Sequence, residues 1–384
     1  MIKKQKNVLV ALGWYDHRLL QGIATYATQH RWHLAAHSII HEKVIPWGWE
    51  GDGVLAWLAA GDDLASFVVS VKKPTVDFSM RRPHLPFAHV VQDHAQTGRL
   101  VAEHFLDRGL QHFRFYSDLE NWSQEERGAG FVKALKAAGR ECAWLRWHEA
   151  RDHGAGHSEW LRRRAWLLAQ LKAAPKPVAV FAANGTLAVE VQELCAESDL
   201  AVPGEVAIVG IEDYLLSVGG TNRSISGVDT NLEEQGYQGA AMLDHLMGGG
   251  KIPQKPVRIA PAQLIPRKSS DILAVNHPGV ARALHFIAEH FAGALSVNDV
   301  ARAAGMSRRG LHQAFGEHVG GTPGDKIRTV RLDFAKRRLA ETEEKIESVA
   351  QQSGYPNINT FFIAFRKAED TTPAAYRKIA RRGR

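Results

Sequence analysis

Leu295-Ser296-Val297-Asn298-Asp299-Val300-Ala301-Arg302-Ala303-Ala304-Gly305-Met306-Ser307-Arg308-Arg309-Gly310-Leu311-His312-Gln313-Ala314-Phe315 reads as helix, tight turn, helix. Ser296 is placed to cap the first helix, whose Val297, Val300 and Ala301 share an inward side, and Gly305 supplies the turn. Ser307 caps the second helix, where Leu311 and Phe315, four residues apart, face a core. Arg309, His312 and Gln313 then point away from that core, and each can reach a base edge in a major groove. Arg308, near the helix N-terminus, is better placed for a phosphate.

The same grammar returns at Ile346-Glu347-Ser348-Val349-Ala350-Gln351-Gln352-Ser353-Gly354-Tyr355-Pro356-Asn357-Ile358-Asn359-Thr360-Phe361-Phe362-Ile363-Ala364-Phe365-Arg366-Lys367. Ile346, Val349 and Ala350 form the inward side, Gly354 the turn, and Phe361 with Phe365 the buried pair. Asn359, Thr360 and Ile363 face outward, Asn357 stands just ahead of them, and Arg366 and Lys367 are candidates for phosphate contact. Between the units, residues 329–341 predict a long helix with Leu332, Ala335 and Leu339 inward, suited to set their separation. Many helical hairpins mimic one such unit. Two of them joined by one helix predict an all-α domain that enters successive major grooves, roughly 34 Å apart.

Charge points the same way. Residues 277–384 hold 18 Lys and Arg against 11 Asp and Glu, while the whole chain holds 48 against 41. The first 276 residues therefore carry 30 against 30, and the whole net charge of +7 sits in the tail. Basic groups that neutralise phosphates release condensed counterions and so favour nucleic-acid binding.

The neutral body alternates short apolar runs with amphipathic stretches. Strands are expected at 7–12, 32–38, 53–58, 75–78, 89–91, 113–117, 142–146, 178–182, 206–211 and 226–229, and helices at 17–29, 95–108, 124–138, 158–173, 186–197 and 231–247. Continuously apolar strands separated by helices predict a doubly wound α/β fold, here long enough for two lobes. Ligands bind such sheets beyond the C-terminal strand ends. Trp14, Tyr15, Arg18, Asp93, Asn184, Glu212 and Asp213 fall at those ends, and Arg127 is expected in the first turn of a helix. Aromatic faces beside carboxylates and Arg suit a neutral polyol. Asp93 and Asp213 can equally be capping or turn residues.

Other chemistries find little support. There is no phosphate-binding glycine loop, nucleophile elbow or zinc-protease motif, so no catalytic residue is assigned. His148, His153 and His157 lie near glycines in a stretch that reads as a solvated connector, and no metal site is expected. Cys142 and Cys195 are too few for a disulfide framework. The apolar run after Lys3, Lys4 and Lys6 is too short for a signal peptide, and no run is long enough to span a bilayer, so a cytoplasmic location is expected.

The body resembles the effector-binding domain of LacI/GalR-type repressors, itself similar to type I periplasmic sugar-binding proteins. The resemblance rests on Val91-Gln92-Asp93-His94, on Ala102-Glu103-His104-Phe105-Leu106-Asp107-Arg108-Gly109, on Arg127-Gly128-Ala129-Gly130-Phe131, on Phe181-Ala182-Ala183-Asn184-Gly185, and on the run from Val202-Pro203-Gly204 to Ile211-Glu212-Asp213. It implies that Asp93, Arg127, Asn184 and Glu212 face a sugar, together with Trp14, Tyr15 and Arg18. Gly185 and Glu212 stand where that family usually has Asp, so the pocket is expected to differ from the common one.

The tail resembles the AraC-type DNA-binding domain over its whole length, including Phe361-Phe362-Ile363-Ala364-Phe365-Arg366-Lys367 and Thr372-Pro373-Ala374-Ala375-Tyr376-Arg377. That resemblance places Arg309, His312, Gln313, Asn359 and Thr360 at base-reading positions. Ile363 stands where a basic residue is common, which leaves either contact with a thymine methyl or fewer bases read.

A sensor at 1–265, an exposed connector at 266–276 around Arg267-Lys268-Ser269-Ser270-Asp271, and the tail at 277–384 resemble AraC-type sugar-operon regulators whose sensor comes first. The order implies a sugar-responsive transcriptional activator with promoter DNA, D-xylose or a related monosaccharide, a second copy of itself and RNA polymerase as partners, and no cofactor. A sensor-like domain that only dimerises, or binds a non-sugar ligand, is the alternative. A sugar-modifying enzyme lacks the side chains for the chemistry.

Overall fold

A computed structural model describes residues 5–35, 45–59, 61–150, 159–212, 224–272 and 277–382. The chain divides into two compact units, one of Met1–Asp107 and Gln111–Asp271, the other of Ile272–Arg384 with Arg108–Leu110.

The first unit holds two six-stranded sheets. One lobe contains β1 (Asn7–Leu12), β2 (His33–Ala35), β3 (Gly53–Trp57), β4 (Thr75–Asp77), β5 (Ala88–Gln92) and, from much later in the chain, β11 (Val257–Ile259). The other contains β6 (His112–Ser117), β7 (Cys142–Arg146), β8 (Val178–Ala182), β9 (Val206–Ile211), β10 (Ser226–Asp229) and β12 (Gln263–Ile265). Their orders are β11-β5-β4-β3-β1-β2 and β12-β10-β9-β8-β6-β7, parallel throughout except that β12 runs against β10. Such strands are covered on both faces, which is why Val8, Leu9, Val10, Ala11 and Leu12 are all buried.

Helices flank the sheets: α1 (His17–Gln29), α2 (Asp63–Val71), α3 (His94–Asp107), α4 (Trp122–Ala137), α5 (Trp147–Ala150), α6 (Glu159–Ala173), α7 (Gly185–Glu197) and α8 (Leu232–Met247). α1 packs on α8 and α3 on α4. The second pair is in backbone contact: a Cβ on Gly98 would lie 2.1 Å from the Arg127 carbonyl oxygen, and one on Gly130 2.2 Å from that of Ala95. This close approach sets where Arg127 stands. The chain passes between lobes after β5, after β10 and after β11, and two backbone hydrogen bonds bind these crossings together: Asp93 N–H to Ile259 O (2.8 Å) and Ala262 N–H to Asp229 O (2.9 Å).

Several boundaries differ from expectation. α2, β11 and β12 were not anticipated, being short and weakly patterned. Of the strand expected at 32–38, only His33–Ala35 is a described strand, and residues 36–38 lie outside the described residues. α4 begins at Trp122, capped by Asn121, so Arg127 sits in its second turn rather than its first. The connector is shorter than expected, because a 3-10 turn at Lys268–Ser270 buries Ser269 and Ser270 inside the first unit. Ser269 donates to Ile208 O (2.6 Å) and accepts from Ser226 N–H (2.8 Å), so a polar sequence is held by polar partners.

Among its described residues the second unit is all helical: α9 (Pro278–His290), α10 (Val297–Ala304), α11 (Arg308–His318), α12 (Pro323–Glu341), α13 (Ile346–Gln352), α14 (Ile358–Glu369) and α15 (Pro373–Arg382). α12 starts six residues before the expected 329, because Thr322 and Asp325 form a capping box and Pro323 takes the first helical position.

Candidate ligand cleft and nucleic-acid interface

In the first unit the C-terminal strand ends of both lobes meet at the crossings. Trp14 and Tyr15 follow β1 and are exposed, with the Trp14 ring 4.7 Å from that of Trp57 at the end of β3. Asp16 is buried and caps α1 by accepting from Arg18 N–H (2.9 Å). The Arg18 guanidinium returns to the same carboxylate through Nε (3.0 Å) and Nη2 (2.9 Å). Burial works against the charged form of Asp16, yet these hydrogen bonds outweigh it and hold the carboxyl below its ordinary range. Arg18 Nη2 also donates to Glu212 O (3.0 Å), so one side chain from the first lobe reaches the second.

Arg127 is buried at the base of the same region. It donates to Ala183 O through Nη1 (2.6 Å), to His94 Nδ1 through Nε (3.2 Å) and to Gln92 Oε1 through Nη2 (3.4 Å). Burial, helped by Arg127 and Arg258, pushes the His94 pKa well below its usual value, so the ring is neutral and its Nδ1 accepts. Gln92 in turn donates to Gln235 Oε1 (3.4 Å), and Gln235 donates to Val90 O (2.8 Å) and Phe78 O (3.2 Å). A buried polar chain therefore runs from the sheet of one lobe through a crossing into the other.

The other sequence candidates have structural partners. Asp93 Oδ1 accepts from Gln96 N–H (2.9 Å), and Asn184 caps α7 by accepting from Leu187 N–H (2.8 Å). Both are half-buried, so each combines a cap with a position at the cleft. Glu212 is buried and gripped by Arg267, whose Nη1 and Nη2 lie 2.7 and 2.8 Å from its carboxylate oxygens. Asp213, His153 and His157 lie outside the described residues. Sequence reading missed Trp57, Gln92, His94, Gln235 and Arg267. Gln92 and His94 flank the singled-out Asp93, whereas Arg267 was hidden in the expected connector.

In the second unit each helix-turn-helix has its own core. Val280, Ala283, Leu284 and Ile287 of α9 pack with Val300, Ala301 and Ala304 of α10 and Leu311, Ala314 and Phe315 of α11. Val349, Ala350, Tyr355, Phe361 and Phe365 make the second core. α12 serves both, with Ile327 in the first and Leu332, Ala335 and Leu339 in the second. Its 19 residues span about 28 Å at 1.5 Å per residue, the same order as one turn of duplex. Arg331 on this helix donates to Phe291 O (2.8 Å) and Gly293 O (2.9 Å), and Arg282 of α9 to Ala304 O (2.7 Å), so two helix ends are closed by guanidinium groups.

Ser307 caps α11 as expected, accepting from Gly310 N–H (3.0 Å), and Asn357, a candidate for DNA contact, caps α14 by accepting from Thr360 N–H (2.9 Å). Arg308, Arg309 and Gln313 are exposed, whereas His312 is half-buried rather than fully outward. Asn357, Asn359, Thr360, Ile363, Arg366 and Lys367 are all exposed. The Thr360 hydroxyl donates to Asn357 Oδ1 (2.9 Å), so these two act as one capping pair. Among the described residues no helix is long and apolar enough to cross a membrane, and no group of three or more His, Cys, Asp or Glu is placed to hold a metal.

Residues 102–270 match the periplasmic binding protein-like domain family, and residues 300–379 the helix-turn-helix domain family. Over 385 residues the chain is 26% identical to the xylose operon regulatory protein of Escherichia coli (strain K12), covering 95% of this chain and 94% of that protein. It is 27% identical over 379 residues to the protein of the same description from Haemophilus influenzae, covering 94% and 95%. The fold is also that of a solved structure described as the xylose-binding transcription activator xylR, with a TM-score of 0.74, 24% identity and 99% of each chain covered. The chain is thus a transcriptional regulator in which a periplasmic-binding-protein-like domain precedes an AraC-type helix-turn-helix domain.

Proposed function

We propose that the protein switches promoter binding in response to D-xylose or a related monosaccharide, as a cytoplasmic homodimer that engages RNA polymerase when it activates. The observation that carries the DNA half is the pair of capped reading helices whose two cores share α12. Arg309, His312, Gln313 and Asn359 read bases in this proposal, Asn357 and Thr360 set the second helix start, and Arg308, Arg366 and Lys367 meet phosphates. Trp14 and Tyr15 offer faces to a sugar ring, and Arg18, Asp93, Arg127, Asn184, Glu212 and Asp213 surround its hydroxyls. The full-length similarity to xylose operon regulatory proteins supports the choice of sugar.

Sugar binding shifts the lobes toward a closed form, and the closed form favours a dimer whose two tails span an extended site. The sugar can move that equilibrium only by its preference for the closed form. Calorimetry with a monosaccharide panel, followed by gel shifts with and without the sugar that binds, tests both halves. Equal affinity and footprint in both conditions would remove the coupling.

A second reading keeps the DNA half and makes the first unit a dimerisation scaffold or a site for a non-sugar ligand. It draws on the internal partners of Asp93, Asn184 and Glu212, which leave these side chains less available to a sugar than their positions suggest. Heat on titrating a monosaccharide separates the two.

A further inference from the structure

We infer that α14 selects an A·T subsite, with Ile363 packing against a thymine methyl and Asn359 reading an adenine. This rests on the DNA-binding reading and names what the second helix reads. Ile363 is 71% exposed, on a helix where Phe361 and Phe365 are buried and Phe362 and Ala364 pack on the same core. Asn359 lies four residues earlier and Lys367 four residues later, so the three share one face, and all are exposed. A large aliphatic side chain on a solvated, otherwise polar face gains nothing from the protein around it.

The thymine C5 methyl is the apolar group that a major groove offers, and an aliphatic side chain recognises it by contact. Asn359 supplies the complementary chemistry, since an amide both donates to and accepts from the adenine edge. Thr360 competes weakly for this task because its hydroxyl is held by Asn357. α11 offers a different set, with Arg309 and Gln313 exposed and no comparable apolar residue. The two helices therefore read unlike half-elements, by hydrogen bonding alone through the first and by methyl contact beside an amide through the second.

The test uses the full chain and duplexes enriched with it from a random library. Each thymine of a bound duplex is replaced in turn by deoxyuridine, which removes the methyl and leaves every hydrogen-bonding group. At one or two positions within one half of the footprint, the unsubstituted protein should bind about fourfold more weakly, the worth of one buried methyl. Ile363→Ala should bind the parent duplex more weakly and be indifferent to deoxyuridine at those positions, while Ile363→Val keeps part of the discrimination. Because Ile363 lies outside the core, these variants should unfold at the same urea concentration as the parent. Deoxyuridine that is neutral at every position, or that weakens Ile363→Ala as much as the parent, overturns the inference and leaves the DNA-binding reading intact. Failure to enrich any duplex overturns both.

Discussion

Arg267 grips Glu212 with both ends of its guanidinium, Nη1 to Oε2 at 2.7 Å and Nη2 to Oε1 at 2.8 Å, and donates through Nη1 to Ile225 O at 2.7 Å. The acid closes the C-terminal end of β9 and the base opens the last turn of the first unit. Arg18 of the first lobe touches the backbone of that same Glu212. One residue thus meets both the opposite lobe and the segment that leads out of the domain.

Removing one partner leaves a charge stranded. Arg267→Ala should destabilise the first unit by about 3 kcal/mol, because Glu212 keeps its burial and loses its counter-ion. Arg267→Lys should recover only part of this, since an ammonium cannot match the planar fork. Urea unfolding followed by tryptophan fluorescence measures both; equal stability of Arg267→Ala and parent would show the pair to be dispensable.

The two turn glycines look alike in sequence and should behave differently. Gly305 and Gly354 both have positive φ, 66° and 78°. A Cβ on Gly305 would meet nothing nearer than Arg282 Nη2 at 3.5 Å, whereas on Gly354 it would lie 2.3 Å from the Phe291 carbonyl oxygen. Gly305→Ala should cost about 1 kcal/mol for the left-handed backbone alone. Gly354→Ala adds a clash with backbone and should cost about 3 kcal/mol or more. Thermal unfolding of the two variants orders them.

Asp77 gives the first unit an acid-side stability that fades toward neutrality. Its carboxyl is fully buried, and burial raises its pKa to about 6 despite hydrogen bonds from Leu58 N–H (3.1 Å) and Ser79 N–H (3.0 Å) and the nearby His89. A folded pKa above the unfolded one means that this contribution is complete below about pH 4 and is lost as pH rises through about 6. Asp77→Asn keeps an acceptor oxygen for the two amides and removes the charge. Stability measured from pH 4 to 7 should therefore show a gain for this variant that grows with pH up to about 6 and then levels off. A constant difference between parent and variant would contradict this.

Reading and phosphate residues should separate by their response to sequence and salt. Arg309→Ala should cost about 1–3 kcal/mol on the preferred duplex and much less on unrelated DNA. Arg366→Ala and Lys367→Ala should weaken all duplexes alike and lower the slope of log affinity against log salt by about one each. Fluorescence anisotropy at several salt concentrations resolves the two classes.

Much of this architecture is legible in local pattern. The strand from Asn7 to Leu12, the caps Ser296 and Ser307, and the inward pairs Leu311–Phe315 and Phe361–Phe365 are settled by neighbours within a few residues, and the structure shows them as read. The start of α12 was missed although Thr322-Pro323-Gly324-Asp325 carries a capping box. The cleft was half legible: strand ends announce themselves, but partners distant in the chain do not.

Domain order, the repeat of the helix-turn-helix and the faces its helices bury follow from local pattern, because helical periodicity and end-capping are written in residues at most four apart. Long-range packing assigns Arg267 to Glu212 rather than to solvent, locks Arg127 against Ala183, His94 and Gln92, and crowds Gly354 where Gly305 is open. Those outcomes depend on which backbone and which charge arrive from 33 or more residues away, and close packing, not local preference, selects them.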